Sequence, residues 1–248
     1  MKIILLALVA LLSTTAMAQN KFSNETGLTM VDTTGNTETT GYNVSTKSIY
    51  DVTVRKYILS GHYTYGTNKD STGTARYGDL IVRNWDIKLG MEQALNKKLF
   101  VVTSIQYEAN QFSNLNQRRN IDLGLKYEIS KTDKIKQSAT AGYRTSEEQR
   151  IDRDDKGEDQ FTFSKGFVKY DIDHKITKTT SYGFWVEYIP NFTEAEDYQI
   201  NFEPSLSVTM SETFSLKVAY TGMYDNERNP GVEKRLDTIS TTSLIAKF

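Results

Sequence analysis

The sequence predicts an all-β fold, a transmembrane antiparallel up-and-down β-barrel of about 12 strands with short periplasmic turns and longer extracellular loops. Three observations support this prediction. Apolar and polar residues alternate along most of the chain, short and long connections alternate between the predicted strands, and aromatic residues cluster at strand ends. A helix would repeat its apolar face about every 3.6 residues, so the alternation excludes a mainly helical fold.

The last segment, 236–248, alternates to the final residue, with Ile239 and Ile245 as exceptions. One face carries Leu236, Thr238, Ser240, Thr242, Leu244, Ala246 and Phe248. A strand that ends on an aromatic residue is typical of the closing strand of an outer-membrane barrel. In lipid this strand must pair with the first one, so that no backbone edge lacks hydrogen bonds.

Residues 1–18 have the parts of a cleavable secretory signal: Lys2, an apolar run, and the small residues Ala16 and Ala18 at the cleavage site. The apolar run is too short for a membrane-spanning helix, which needs about 20 residues. We therefore expect export to the outer membrane and a single barrel domain over 19–248.

The first strand, 22–32, alternates weakly through Leu28 and Met30 and leads into a Gly-Asn turn. The next three strands carry in-phase Tyr, Leu and Ile residues and are predicted at 39–50, 54–65 and 81–92. The fifth strand is predicted at 99–111. The sixth, 120–129, has the strictest alternation of the chain, with apolar residues at every odd position from Ile121 to Ile129.

A seventh strand ends near Thr145 and is followed by a charged loop, 146–159. In the eighth, 160–172, Phe161 and Phe163 are out of phase with Val168, which predicts a bulge near Lys165 and Gly166. The last four strands alternate clearly and are predicted at 181–188, 198–208, 214–224 and 236–248. Pro204 fits poorly in its strand because it lacks a backbone donor.

Aromatic residues give a second test of the barrel, because amphipathic rings gather where a bilayer meets water. One predicted girdle lies beside the long loops: Tyr63, Tyr65, Tyr77, Tyr107, Tyr143, Tyr188, Tyr198 and Tyr224. The other lies beside the short turns: Tyr50, Tyr57, Tyr127, Tyr170, Tyr182, Phe214 and Phe248. A barrel with a polar lumen also explains the low mean hydropathy of −0.51.

The polar face of the strands predicts a charged lumen. The candidates that line it are Lys47, Asp86, Lys88, Glu108, Asp122, Lys126, Arg144, Glu187, Glu203 and Lys217. Both signs of charge occur together, and about 12 strands give an intermediate diameter. The lumen is therefore either a narrow pore or a plug of paired charges.

Catalytic and metal sites are not indicated by the sequence. His62 is expected in the lumen, on the face of Ser60 and Thr64, and no hydrolase motif accompanies it. The acidic loop 146–159 could bind Ca²⁺ or bridge to lipopolysaccharide, but the interleaved Arg150, Arg153 and Lys156 favour a solvated loop. We expect no catalytic residue, no cofactor and no metal.

The function predicted from these features is that of a non-enzymatic barrel, either a narrow passive channel or an envelope scaffold related to salt stress. Two alternatives are a barrel hydrolase acting on lipid or peptide, and a soluble exported β-rich binding protein. The nearly equal numbers of basic and acidic residues, 30 and 31, argue against a nucleic-acid partner. The expected partners are outer-membrane lipid and lipopolysaccharide, and a monomer is favoured.

Short motifs over nearly the whole mature chain point to a known family. Thr26-Gly27 to Val31, the turn 34–39 and the segments 216–220 and 237–248 resemble the salt-induced outer membrane protein family, whose function is unknown. The resemblance implies an outer-membrane barrel and no catalytic residues. Resemblance to outer-membrane proteins also implies that Leu244, Ala246 and Phe248 form a signal for the assembly machinery.

Overall fold

A computed structural model describes residues 21–34, 39–68, 80–111, 114–154, 156–227 and 235–247 of the chain. The predicted signal peptide, with Ala16 and Ala18, lies outside these residues, as do Tyr77 and Phe248. Within the described residues, no helix is long and apolar enough to cross a membrane.

The described residues form twelve antiparallel strands in one closed barrel, which confirms the predicted fold. In chain order the strands are β1 (Lys21–Thr34), β2 (Thr39–Val52), β3 (Arg55–Asn68), β4 (Leu80–Ala94), β5 (Leu99–Asn110), β6 (Leu115–Lys131), β7 (Ile135–Arg150), β8 (Gln160–Lys175), β9 (Thr180–Pro190), β10 (Tyr198–Thr209), β11 (Phe214–Asp225) and β12 (Leu236–Lys247). Each strand pairs with its neighbours in sequence, and β12 closes the barrel on β1 from Glu25↔Lys247 to Thr34↔Thr238. No strand edge is left open, as lipid requires.

The two ends of the barrel differ in the length of their connections. One end, here the short-turn end, has the connections 53–54, 95–98, 132–134, 176–179 and 210–213. The other, here the long-loop end, includes the connections 69–79, 151–159, 191–197 and 226–235. Strands also reach further than the sequence predicts: β7 continues to Arg150, so residues 146–150 belong to a strand and not to the charged loop.

The outward face of the barrel is apolar and open to its surroundings. On β6, Leu123 is 58% exposed whereas its neighbour Asp122, on the interior face, is 6% exposed. Leu28, Leu89 and Val218 repeat this outward exposure on other strands. Such a surface is unstable in water, since each exposed apolar Å² costs about 25 cal/mol, and it is matched to lipid.

Aromatic side chains occupy the outward face towards both ends. Near the long-loop end, Tyr42 stacks on Tyr65 with ring centroids 5.3 Å apart, and Tyr198 lies 5.8 Å from Tyr188. Near the short-turn end the exposed rings include Phe22, Tyr50, Tyr57, Tyr127 and Phe214. Two aromatic bands around an apolar belt are the pattern of membrane barrels.

The predicted bulge near Lys165 and Gly166 is wrong. β7 and β8 pair with no shift of register from Ile135↔His174 to Gln149↔Gln160. Phe161 and Phe163 therefore share the interior face with Lys165. The prediction failed because it assigned every apolar residue to the lipid face. The ladder between β10 and β11 is interrupted at Glu203 and Pro204, as the missing donor predicts, but the register is the same on both sides.

Candidate functional site

The barrel interior is the candidate functional site. All ten predicted lumen residues lie on the interior face of their strands: Lys47, Asp86, Lys88, Glu108, Asp122, Lys126, Arg144, Glu187, Glu203 and Lys217. Most of them are joined in ion pairs. The pairs fall into two chains on one wall and smaller groups beside them.

The first chain, here the Asp122 chain, crosses the middle of the wall from β4 to β9. Arg144 Nε donates to Asp122 Oδ1 at 2.7 Å and Nη2 donates to Oδ2 at 3.0 Å. Lys88 Nζ lies 3.4 Å from Asp122 Oδ2, and Arg144 Nη2 lies 3.3 Å from Glu187 Oε1. Arg144 and Asp122 are both buried, so this two-nitrogen contact is the anchor of the chain.

The second chain, here the Glu148 chain, lies nearer the long-loop end. Arg118 donates to Glu148 Oε1 at 2.8 Å through Nε and to Glu108 Oε1 at 3.2 Å through Nη1. Lys165 Nζ completes the chain at 3.5 Å from Glu148 Oε1. Glu148 and Lys165 are buried, which such charges tolerate only when they are paired.

Smaller groups extend the charged wall. Glu92 accepts from Lys126 Nζ at 2.9 Å and lies 3.5 Å from Lys56 Nζ. On the far side, Lys217 Nζ donates to Glu203 Oε1 at 2.7 Å. These interior ion pairs join strands that are adjacent or next but one. They therefore lie along the wall rather than across the lumen.

The wall formed by β12, β1, β2 and β3 is polar but carries few charges. Thr29 and Ser243 hydroxyls share a hydrogen bond of 2.5 Å, and Asn43 Nδ2 donates to Thr64 Oγ1 at 2.8 Å. The lumen thus has one charged wall and one wall of hydroxyl and amide groups, both suited to contact with water.

His62 lies on this second wall and has partners at both ring nitrogens. Nδ1 contacts Asp86, and Nε2 lies 3.1 Å from Asn84 Oδ1. Ser60 and Thr64, the hydroxyls expected on its face, are not among its partners. A histidine that activates a nucleophile needs a hydroxyl or thiol within hydrogen-bond reach. His62 is therefore held in the wall by Asp86 and Asn84, and it lacks the contact with a nucleophile that a hydrolase histidine makes.

Part of the interior face is not predicted by the sequence. Arg118 precedes the predicted sixth strand, Glu148 lies in the predicted charged loop and Lys165 lies at the predicted bulge, although each continues the period of two of its strand. Phe163 and Phe167 were missed as well. Their rings carry cations: Lys165 Nζ lies 4.9 Å from the Phe163 centroid, and the Arg144 guanidinium lies 5.4 Å from that of Phe167.

Two of the cavities in the described part of the interior lie beside the two walls. The larger, here the central cavity, has a volume of about 360 Å³, and its lining includes Lys88, Arg144, Trp185, Glu187 and Asn201. The second has about 310 Å³ and lies beside the wall with few charges, where its lining includes Lys47, Ser60, His62, Lys217 and Ser243. Polar groups make up somewhat more than half of the lining of both, so water has hydrogen-bond partners there.

The charged loop, now 151–159, is folded around Asp154. Backbone N–H groups of Glu158 and Lys156 donate to Asp154 Oδ1 at 2.8 and 2.9 Å. These bonds, that of Glu158 first, lower the pKa of the Asp154 carboxyl from its ordinary value. Among the described residues, no three His, Cys, Asp or Glu side chains are placed to hold a metal ion.

Similar proteins are known at the level of family and fold. Residues 26–248 match the family described as "Protein of unknown function, DUF481". No curated protein matches the chain.

Solved structures of outer-membrane proteins share the fold. A structure described as a NanC porin has a TM-score of 0.62 and 9% identity, over 90% of this chain and 100% of that one. A bacterial polysaccharide outer membrane secretin gives 0.51 and 8%, over 94% and 100%. A KdgM porin gives 0.50 and 13%, over 91% and 99%. At these identities the likeness concerns the fold alone.

Proposed function

We propose that this chain, which belongs to the DUF481 family of proteins of unknown function, is a narrow passive channel of the outer membrane for small hydrophilic solutes. The observation that supports it most is the layout of the interior charges. They are paired along the wall, from Lys88 to Glu187 and from Glu108 to Lys165, and polar cavities remain beside them. A plug would need the pairs to cross the lumen.

The location follows from the two faces of the barrel. An exposed apolar belt, with Leu89, Leu123 and Val218, and aromatic bands at both ends fit a bilayer. The fold shared with solved outer-membrane porins supports the same location. The long loops would then face outwards, against lipopolysaccharide, and the short turns would face the periplasm. We expect a monomer, cleavage of the precursor after Ala18, and Gln19 as the first residue found by amino-terminal sequencing of the mature protein.

Swelling of liposomes that contain the refolded protein tests the channel. Solutes below the diameter of the lumen should enter and swell the vesicles, and the rate should fall steeply from a monosaccharide to a trisaccharide, because the pore is narrow. Vesicles with the same amount of heat-unfolded protein are the control. Swelling no faster than in that control, for every solute, would contradict the proposal.

The resemblance to salt-induced outer membrane proteins adds a proposal about the conditions of expression. We expect the amount of the protein to rise with external salt. Quantitative immunoblotting of outer membranes at low and high salt checks this, and equal amounts would rule out a salt-related role.

The carboxyl-terminal strand is proposed to carry the assembly signal Leu244, Ala246 and Phe248. Leu244 lies on the exposed outward face of β12, and Ala246 pairs with Thr26 and Phe214. Burial of a side chain of this size is worth about 1.5–3 kcal/mol at most, and a fully hydrogen-bonded barrel should survive its deletion. We therefore expect unfolded, protease-sensitive protein in the periplasm of cells, and a normal heat-modifiable gel shift after refolding in vitro.

Two results would change that account of Phe248. Normal outer-membrane levels of the deletion would exclude the assembly signal. Failure to refold in detergent or lipid would show instead that Phe248 is needed for stability.

A further inference from the structure

A third cavity, here the mouth cavity, lies at the long-loop end of the interior and has a volume of about 230 Å³. The Glu148 chain supplies part of its lining through Arg118, Glu148 and Lys165. In that chain two cations meet two carboxylates, since Glu108 also pairs with Arg118. Glu108 lies outside the lining, however, so the chain contributes two cations and one carboxylate to the mouth cavity itself.

The other charged residues of the lining are mainly acidic. Arg150 stands against four carboxylates, those of Glu194, Asp197, Asp225 and Glu227. The Arg150 guanidinium lies 4.0 Å from the centroid of Phe161, and it takes part in none of the ion pairs found in the described part of the chain. Held by the ring, it does not neutralise a carboxylate directly. Counted with Glu148, the described residues of the lining hold five carboxylates against three cations, so the mouth cavity has an excess of negative charge.

Asp197 is the carboxylate that most needs a partner. It is 8% exposed, and its Oδ2 accepts a hydrogen bond of 2.8 Å from Asn191 Nδ2. Its other oxygen, Oδ1, is buried and has no hydrogen-bond partner. A carboxylate oxygen buried without a partner is costly, and a cation in the adjoining cavity would offset that cost.

The carboxylates of the lining also affect the pKa of a residue in the neighbouring loop. Glu194 lies in the connection between β9 and β10. Partial burial of this mostly exposed side chain, together with the charges of Glu227 and Asp197, raises the pKa of the Glu194 carboxyl above its ordinary value, against the opposing charges of Arg150 and Lys165. Carboxylates that repel one another in this way attract a positive charge from solution.

The spacing of the acidic side chains indicates whether the cation is bound with or without its water shell. No three acidic or histidine side chains of the described residues are placed to ligate one metal ion, so a dehydrated divalent cation is disfavoured. The cavity of about 230 Å³ has room for several waters, each of which occupies about 30 Å³ in the liquid. A hydrated monovalent ion or an ammonium ion fits both facts.

We propose that the mouth cavity binds small monovalent cations, ammonium ions included, and makes the channel cation-selective. This inference rests on the proposed channel function. Solutes entering from the long-loop end meet the acidic lining before the balanced charges of the central cavity. A local potential of only 1 kT would favour cations over anions by roughly sevenfold.

Reversal potentials in planar bilayers test the inference. With a gradient of KCl at low ionic strength, where screening is weak, the full chain should show a reversal potential of the sign for K⁺ selectivity. The double variant Glu194→Gln/Glu227→Gln removes two exposed loop carboxylates of the lining, so it should fold normally. Its K⁺ over Cl⁻ permeability ratio should fall several-fold. Replacing K⁺ by NH₄⁺ should leave the selectivity of the unmodified chain in place.

The matched control is Asp133→Asn/Glu212→Gln, which removes two exposed carboxylates at the short-turn end and should leave the ratio unchanged. A conducting channel that prefers Cl⁻, or an unaltered ratio in Glu194→Gln/Glu227→Gln, would overturn the cation site while leaving the channel intact. Absence of any conductance would overturn the channel itself.

Discussion

Leu123→Arg should destabilise the barrel by about 2–4 kcal/mol, since it places a charge near the middle of the lipid-facing belt. Leu123 is exposed on the outward face of β6 and lies opposite Thr103 on β5 and Tyr143 on β7. Urea titration of the protein in lipid vesicles, followed by the fluorescence of its two tryptophans, Trp85 and Trp185, measures the loss.

The matched control is Asn201→Arg, which introduces the same residue on the interior face. Asn201 lines the central cavity and lies opposite Glu187 on β9, so a new cation there meets water and a carboxylate. We expect a change below about 1 kcal/mol. Equal losses from the two substitutions would mean that the assignment of faces is wrong, because a shift of one residue exchanges them.

Arg144→Met should cost about 3 kcal/mol, the lower end of the range for breaking a buried ion pair. The substitution leaves Asp122 and Glu187 without their shared partner, although Asp122 keeps Lys88 at 3.4 Å. Both Arg144 and Asp122 are more than nine-tenths buried, so water replaces the lost contact poorly. The same urea titration measures this loss. Arg144→Lys keeps the charge but loses the two-nitrogen contact. Its stability should therefore lie between that of the unmodified chain and that of Arg144→Met.

Arg153→Met is the control for Arg144. Arg153 is also paired with a carboxylate, Asp159, but at 4.0 Å and with 71% of its side chain exposed. Its loss should not be measurable, as for most exposed pairs. If Arg144→Met were as harmless as Arg153→Met, the Asp122 chain would not stabilise the wall.

The fold could be predicted because its main requirement, an apolar residue at every second position, is a pattern of neighbouring residues in the sequence. A barrel in lipid needs outward apolar residues at every second position, and β6 shows them from Ile121 to Ile129 without a break. The same rule placed Asp122 and Lys126 on the interior face. Closure of β12 on β1 followed because an open strand edge in lipid is too costly.

The predictions that were wrong are those that placed every apolar residue of a strand on the lipid-facing side. Phe161 and Phe163 lie inside, where Arg150 and Lys165 cover their rings, and such a contact depends on two other positions of the fold. The ion pairs themselves could not be predicted either. Lys88 reaches Asp122 across the whole width of β5, which depends on the stagger of the strands and on side-chain length. Alternation specifies neither.

The most direct test of an open lumen uses the absence of cysteine from the chain, because any introduced thiol is unique. Single-channel currents are recorded from Asn201→Cys and Leu123→Cys while a trimethylammonium-bearing methanethiosulfonate reagent is added. Asn201 lines the central cavity, whereas Leu123 lies on the outward face. If the lumen is open, the current through Asn201→Cys should fall in steps as the reagent reacts, and the current through Leu123→Cys should not change. Silent bilayers, or a modified Asn201→Cys that conducts as before, would contradict an open lumen.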